Sequence, residues 1–279
     1  MVAPAVLILS ALVLYPLVSL LVMSLRDYGT GGNTIDFDWV GLKWYAMLTS
    51  DHRFVRGLLR SIQYSLGSVS GALVLGLGLA MLLNRNYRGI GVLRVLFILP
   101  YTTMMVAIAL LWNIMLNPAN GIMNYFLQAI GLPASLWLAD TRTVLPTLIM
   151  IQIWRSTPFA MLIALAGLRS MPLDSFEAAD IDGASPLQKF RYLTLPMLRS
   201  ALATAALFML IDTLKQFPLI YVLTGGGPLR ASETLYIYGY NLTFRFFDIG
   251  YGSAALVALL LLVLTVSVIW LRVRERSWL

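Results

Sequence analysis

Apolar residues in this chain gather into long runs, separated by shorter stretches rich in charge, glycine and proline. A helix of about 20 apolar residues crosses the ~30 Å hydrocarbon core of a bilayer. On that criterion six membrane helices are predicted, over residues 2–25, 58–83, 92–116, 144–168, 201–223 and 250–271. The first is longer than a secretory h-region and lacks a small-residue cleavage site, so it reads as a retained span. It opens almost directly on membrane residues, which leaves room for a short cytoplasmic tail ahead of it. Pro4 and Pro16 are tolerable there, because neighbouring helices can re-satisfy the backbone. In the second span Gly67 and Gly71 form a GxxxG pair suited to close helix approach. Gly76 and Gly78 lack the third glycine and the preceding strand of a dinucleotide fingerprint, so they too read as packing positions. Leu99-Pro100-Tyr101 predicts a kink in the third span.

The intervening stretches divide between the two sides of such a bundle. Residues 26–57, 117–143 and 224–249 fall on one side. The first holds Asp27, Asp36, Asp38, Asp51, His52 and a group of aromatics between Trp39 and Tyr45, and the third opens on Thr224-Gly225-Gly226-Gly227-Pro228. The other side carries a short basic turn around Arg85, Arg88 and Arg94 and the longer polar stretch 169–199. That stretch has more local structure than a connector needs. Pro172 suits the first turn of a helix. Leu173, Phe176, Ala179 and Ile181 give that helix an apolar side, against Asp174, Glu177, Asp180 and Asp182. Gly183 is placed to end it in the left-handed region. Ser185, Pro186 and Gln188 then spell a capping box at the start of a second helix. Two short helices meeting at a glycine make a protruding elbow.

Composition supports a membrane chain. The 279 residues are 59% hydrophobic and only 12% charged, with a mean hydropathy of +0.80; soluble domains carry about a quarter charged residues. A single polytopic membrane domain over residues 1–279 follows. The net charge of +7 arises mainly at helix ends, so it reads as positive-inside placement rather than as a nucleic-acid surface. Lys and Arg are denser on the elbow side, counting Arg169, Lys189, Arg191, Arg199, Arg272, Arg274 and Arg276 with the basic turn. That side is therefore expected to be cytoplasmic, with both termini. The chain has no cysteine, which excludes disulfides, thiolate metal sites and a cysteine nucleophile.

No enzyme constellation is present. The chain contains no GxxxxGK[ST], no HExxH and no His/Cys cluster, and His52 reads as a solvated loop residue. Energised work would need its nucleotide chemistry, ATP and Mg included, from another subunit. The informative groups are polar residues inside spans: Gln152, Trp154, Arg155, Ser156, Thr157 and Pro158 in the fourth, Asp212, Thr213, Lys215 and Gln216 in the fifth. Ionisable residues at membrane depth are costly and generally face a bundle interior or a watery path. Helix periodicity places Asp212, Lys215 and Gln216 on one face. Two compatible readings stand: this face lines a translocation route, or Asp212 pairs with Lys215 or Arg155 to neutralise a buried charge. Gln152, Ser156, Thr213, Gln216 and Tyr101 offer neutral donors and acceptors, while Trp154, Phe159 and Phe217 offer flat apolar faces. That mixture suits a sugar, whose hydroxyls hydrogen-bond and whose C–H faces stack on aromatics.

Several motifs carry a family resemblance. Glu177-Ala178-Ala179, three residues, Gly183, nine residues, Leu193, one residue, then Leu195-Pro196 resembles the EAA loop of bacterial ABC importer permeases, departing at Leu193, where the family prefers Ile. The runs Trp154–Phe159 and Tyr221–Pro228, with Ala3-Pro4, Tyr15-Pro16 and Leu99-Pro100-Tyr101, are similar to segments of carbohydrate-importer permeases of the maltose-transporter MalF type, in a six-span form. The resemblance implies the all-α, type I (MetI-like) permease fold with a cytoplasmic coupling helix, in the bacterial cytoplasmic membrane. It implies as partners a second, MalG-type permease, two ATPase subunits that bind the ATP and Mg, and an extracytoplasmic sugar-binding protein. It also implies that Glu177, Ala178, Ala179, Asp182, Gly183, Leu195 and Pro196 couple to the ATPase, and that cargo, a di- or oligosaccharide, passes between the permeases past the central spans; the residues read above as bordering that path are Tyr101, Gln152, Arg155, Ser156, Phe159, Asp212, Thr213, Lys215 and Gln216. Other expectations are a non-sugar cargo such as glycerol phosphate or a polyamine on the same architecture, or a secondary transporter driven by an ion gradient through Asp212.

Overall fold

The computed structural model describes residues 3–29, 38–84 and 88–276; Asp36 and Arg85 of the expectations above lie outside them. The order is α1 (Ala3–Met23), a two-stranded pairing of β1 (Arg26–Asp27) with β2 (Asp38–Trp39), α2 (Lys43–Ser50), α3 (His52–Leu83), α4 (Ile90–Thr102), α5 (Met105–Met115), α6 (Ile122–Ala129) and α7 (Val144–Arg169). Then come α8 (Leu173–Ile181), α9 (Pro186–Lys189), a π-helical turn over Phe190–Thr194, α10 (Leu195–Leu214), α11 (Pro218–Thr224), α12 (Leu235–Tyr240), a second π-helical turn over Asn241–Arg245, and α13 (Ile249–Arg276). Among the described residues four helices are long and apolar enough to cross a membrane: α3, α7, the helix running unbroken from Pro186 to Leu214, and α13. The pair α4–α5 passes the same test together, and α1 is 21 residues long.

At the centre α3 and α7 pack side by side, with α10 against both. The glycines explain the first contact. A Cβ on Gly67 would meet Ile149, on Gly71 Ile153, and on Gly76 Ala160. These pairs advance together along both helices, so α3 and α7 run parallel, as membrane spans separated by one other span must. Gly76 is the tightest against backbone: a Cβ would lie 2.6 Å from Ala160 Cβ and 2.8 Å from the Met161 nitrogen. A Gly76→Val variant is therefore expected to lose about 1–3 kcal/mol, read as a lower Tm of the purified protein. Gly78→Val, at a position with nothing within 4 Å, serves as the control and is expected to shift it little.

Two expected spans are broken. The third was expected to kink at Pro100, but Pro100 stays within α4 and the chain bends by 97° after it, between α4 and α5. There the hydroxyls of Thr102 and Thr103 both donate to the Leu99 carbonyl, at 3.1 and 2.8 Å. Thr103 and Met104 then turn extended. Such side-chain bonds compete with the helical ladder and end it. The fifth span, expected over 201–223, begins at the elbow and ends at Leu214. Pro218 opens α11 and lacks the N–H that would continue the ladder from α10, and Phe217 ahead of it sits at φ −119°, ψ −56°.

The elbow takes much of the predicted form. Pro172 lies just ahead of α8 rather than within its first turn. Gly183, at φ +73°, closes α8 with a paired terminus: its N–H donates to Asp180 O and the Ala184 N–H to Ala179 O. Ser185 and Gln188 exchange the reciprocal bonds of a capping box. Lys189 reaches back to Asp180, bracing α9 against α8. The second helix is not a separate short one; it continues into the span. Pro196 has no N–H to continue the ladder, and the π-helical turn, in which Leu195 N–H donates to Phe190 O, carries the helix past it.

Candidate functional site

The polar residues of α7 face two ways. On the inward side Gln152 is fully buried and is the centre of a network that reaches α3, α5 and the segment after α10. Tyr64 of α3 donates to Gln152 Oε1 at 3.1 Å, and Gln216 Nε2 donates to the same oxygen at 3.2 Å. Gln152 Nε2 donates to Ser156 Oγ at 2.9 Å, and Gln216 lies 3.9 Å from the Met105 sulfur of α5. Buried amides are tolerated only when their hydrogen bonds are made, and here the partners come from within the chain. Thr213, also buried, donates to the Met209 and Leu210 carbonyls of its own helix.

The other side of α7 meets the end of α10 at an open pocket of about 280 Å³, lined by Tyr101, Ser156, Phe159, Asp212 and Lys215 among others. Arg155 Nη1 donates to Asp212 Oδ2 at 3.2 Å. The guanidinium lies 5.5 Å from the Tyr101 ring centroid, and Tyr101 in turn stacks on Phe159 at 5.5 Å and 24°. Of the two proposed partners, Asp212 thus takes Arg155. Lys215 has no ion-pair partner among the described residues. The Asp212 carboxylate stays 54% exposed, so the pair borders the pocket without being sealed from it. Asp212, Lys215 and Gln216 also share the wall of a second pocket of about 530 Å³, with Tyr236 and residues of α13. Helix periodicity does not put them there: α10 stops at Leu214, and Lys215 and Gln216 belong to the break that follows. Trp154 points away, edge-on to Trp112, into an apolar groove between α3, α4 and α7.

At the elbow, Glu177, Ala178, Asp182, Gly183, Leu195 and Pro196 are exposed and Ala179 is half-buried. No residue of α8 is buried; Leu173 is 73% and Ile181 87% exposed. Of the residues expected to form its apolar side, Leu173 and Ile181 are exposed, while Phe176 and Ala179 are half-buried.

A further polar cluster, at the end of the bundle away from the elbow, was not anticipated. Arg53 forms a two-point pair with Glu233, Nε to Oε2 at 2.8 Å and Nη2 to Oε1 at 2.6 Å. Asn241 donates to the same carboxylate. Asp51 caps α3 through the N–H groups of Arg53 and Phe54 and accepts from the Tyr238 and Tyr251 hydroxyls at 2.6 and 2.9 Å. Burial alone would push the Asp51 carboxyl up, but these phenol and backbone bonds outweigh it and hold the pKa below the ordinary value. Asp51 immediately ahead of a long apolar run is a helix-start signal; it marks α3 as beginning at His52, before the loop's expected end at Gly57.

The sequence family described as binding-protein-dependent transport system inner membrane component matches residues 72–277, from the middle of α3 through the elbow to the end of α13. The chain belongs to this permease family. The permease is 35% identical over 235 residues to the trehalose/maltose transport system permease protein MalF of Thermococcus litoralis, covering 84% of this chain and 79% of that one. It is 31% identical over 272 residues to the sulfoquinovosyl glycerol transport system permease protein SmoG of Agrobacterium fabrum, covering 97% and 88%. Its fold matches a chain of a bacterial ABC transporter involved in import of the acidic polysaccharide alginate, with a TM-score of 0.84 at 22% identity over 99% of this chain and 94% of that one. The resemblance carried by the elbow and the glycine-proline run is thus confirmed for the family. This multi-pass permease is a transport component and not an enzyme.

Proposed function

We propose that this permease carries a sugar, a di- or oligosaccharide, across the bacterial cytoplasmic membrane as one of two unlike permeases in an ATP-driven importer. The observation that supports it is the wall shared by Asp212 and Lys215 between two pockets, where a stacked Tyr101–Phe159 platform meets the Arg155–Asp212 pair. Flat aromatic faces beside charged and neutral hydrogen-bonding groups are what a sugar ring needs. A few polar groups set in an apolar pocket fix orientation. Gln152, Ser156, Thr213 and Gln216 back this wall and hold it in shape. The sugar names of the two curated relatives above favour the same cargo class.

The exposed elbow is the coupling element. With the elbow in the cytoplasm, and both termini on that side, the uncovered face of α8 docks into an ATPase subunit. Glu177 meets a basic groove residue, Gly183 keeps the sharp turn, and the unbroken helix past Leu195 and Pro196 transmits the movement to the wall at Asp212. ATP and Mg are bound by the two ATPase subunits, not by this chain. ATP draws those subunits together, the elbows follow, and the permease halves rock from inward-open to outward-open, when the extracytoplasmic binding protein releases its sugar.

The test is a reconstituted complex with its neighbouring subunits and a panel of solutes. Sugars presented by the binding protein are expected to stimulate ATP hydrolysis, and Asp212→Ala is expected to reduce that stimulation about tenfold, by freeing a membrane-depth arginine from its partner. Lys215, without an ion-pair partner among the described residues, supports a second reading in which the cargo is an acidic solute such as glycerol phosphate or an acidic sugar. Stimulation by anionic solutes alone would select it. Uptake by vesicles holding this polypeptide only, without ATP, would instead overturn the whole scheme in favour of an ion-coupled carrier.

A further inference from the structure

The central pockets do not account for a run of aromatic residues at the end of the bundle away from the elbow. Phe217 and Tyr221, four apart, stack at 4.8 Å and 20°. Tyr236, Tyr240 and Phe244 follow at the same spacing along α12 and the π-helical turn after it. The two stripes meet: Phe217 lies 5.2 Å from Tyr236 and 4.6 Å from Tyr240, Tyr221 lies 5.1 Å from Tyr240, and Tyr240 lies 5.1 Å from Phe244. The first four are half-buried and Phe244 is exposed. One end of the run opens into the pocket of about 530 Å³, whose wall includes Tyr236 and Pro218 beside Lys215. Arg245 flanks the run, its guanidinium 5.8 Å from the Tyr221 ring centroid.

This surface has the wrong chemistry for lipid, and although Phe217, Tyr221 and Tyr236 rest on buried clusters, no ring of the run is itself fully buried. The lipid-type groove of this same chain, between α3, α4 and α7, is lined by Leu75, Leu79, Phe97 and Ile153. Three of the five rings in the run are instead phenols. Tyrosine presents a flat apolar face with a polar edge, and a pyranose presents the matching pair: C–H faces rimmed by hydroxyls. Successive ring centroids stand 4.6–5.2 Å apart with interplanar angles from 20° to 71°, so a sugar moved along the run stays beside a continuous aromatic surface of mixed ring faces and edges.

We propose that this aromatic run is a sugar-binding subsite outside the central pocket, which receives a pyranose ring at the far end of the bundle and passes it inward past Tyr236. The inference rests on the reading of the cargo as a sugar and adds where the permease first holds it.

The test uses the full complex in proteoliposomes, with gluco-, galacto- and uronic-acid trisaccharides as probes. The probe that stimulates wild-type ATP hydrolysis is carried forward, and if none does, the sugar reading and this inference fall together. With a working probe, the double variant Tyr240→Leu/Phe244→Leu is expected to raise the KM for uptake about tenfold while kcat stays within about twofold. Tyr240→Phe, which keeps the ring, is expected to remain within about threefold of wild type in KM. An unchanged KM in the double variant overturns the subsite while leaving the sugar reading intact. Loss of the second permease on copurification of that variant also overturns it, showing that the run packs against a protein partner instead.

Discussion

Gly183→Val is expected to leave the importer assembled and to cut ATP-driven uptake about tenfold, with ATP hydrolysis falling much less. The reasoning is conformational. Gly183 holds φ +73° at the end of α8, where a left-handed residue costs an L-amino acid roughly 1–2 kcal/mol and a β-branched one more. A Cβ there would meet nothing within 4 Å, so crowding contributes nothing to the effect. What changes is the set of the turn. The bonds from Gly183 N–H to Asp180 O and from Ala184 N–H to Ala179 O hold α8 at a fixed angle to the helix that starts with Pro186. If that angle relaxes, α8 still carries its exposed face to a partner while its movement no longer reaches α10. Gly183→Asn is the discriminating control, because asparagine tolerates the left-handed region and is expected to restore most of the uptake. Copurification of the ATPase subunits, hydrolysis rate and uptake rate are the three measurements. A valine variant that takes up cargo at the wild-type rate would remove Gly183 from the coupling scheme.

The same residues illustrate what could be read in advance. Gly183, Ser185, Pro186 and Gln188 act through neighbours within a few positions, so the elbow's turn and cap were legible in sequence. Its second helix was not, because the π-helical turn that carries the chain past Pro196 leaves no hydropathy signal. Gly67, Gly71 and Gly76 announced a close approach, but only the fold supplies Ile149, Ile153 and Ala160 as the facing residues. The break after Leu214 was hidden for a different reason. Residues 218–223 remain apolar beyond Pro218, and a hydropathy run cannot tell a continuous span from two helices set at a break. At the site, Gln152, Ser156 and Gln216 were identified by being polar where lipid is expected, and the structure does bring them together. Tyr64, which completes their network, is an aromatic in an apolar-looking run and gave no signal. Long-range pairings were the least legible, since nothing near Arg53 in the chain points to Glu233.

That pairing carries the largest stability effect expected of any substitution considered. Glu233 is only 2% exposed, whereas the Arg53 side chain retains 20%. Removing the arginine therefore strands a carboxylate that water cannot reach, while removing the glutamate leaves a cation that can still turn outward on its long stem. Arg53→Ala is expected to cost about 3–5 kcal/mol, the range for breaking a buried pair from one side, and Glu233→Ala distinctly less. The double variant Arg53→Ala/Glu233→Ala is expected to recover part of the single arginine loss, because no uncompensated charge remains buried. Asn241, which donates to the same carboxylate at 3.2 Å, softens the loss in Arg53→Ala without replacing a two-point ionic bond. Thermal unfolding of the purified permease in detergent, run as a double-mutant cycle, measures all three. The pair ties the start of α3 to the segment that leads into α12, so its loss is expected to loosen the end of the bundle away from the elbow before the α3–α7 contact gives way. Arg53→Ala and Glu233→Ala falling equally would mean that the carboxylate finds water or a proton on its own, and the asymmetry argued from burial would fail.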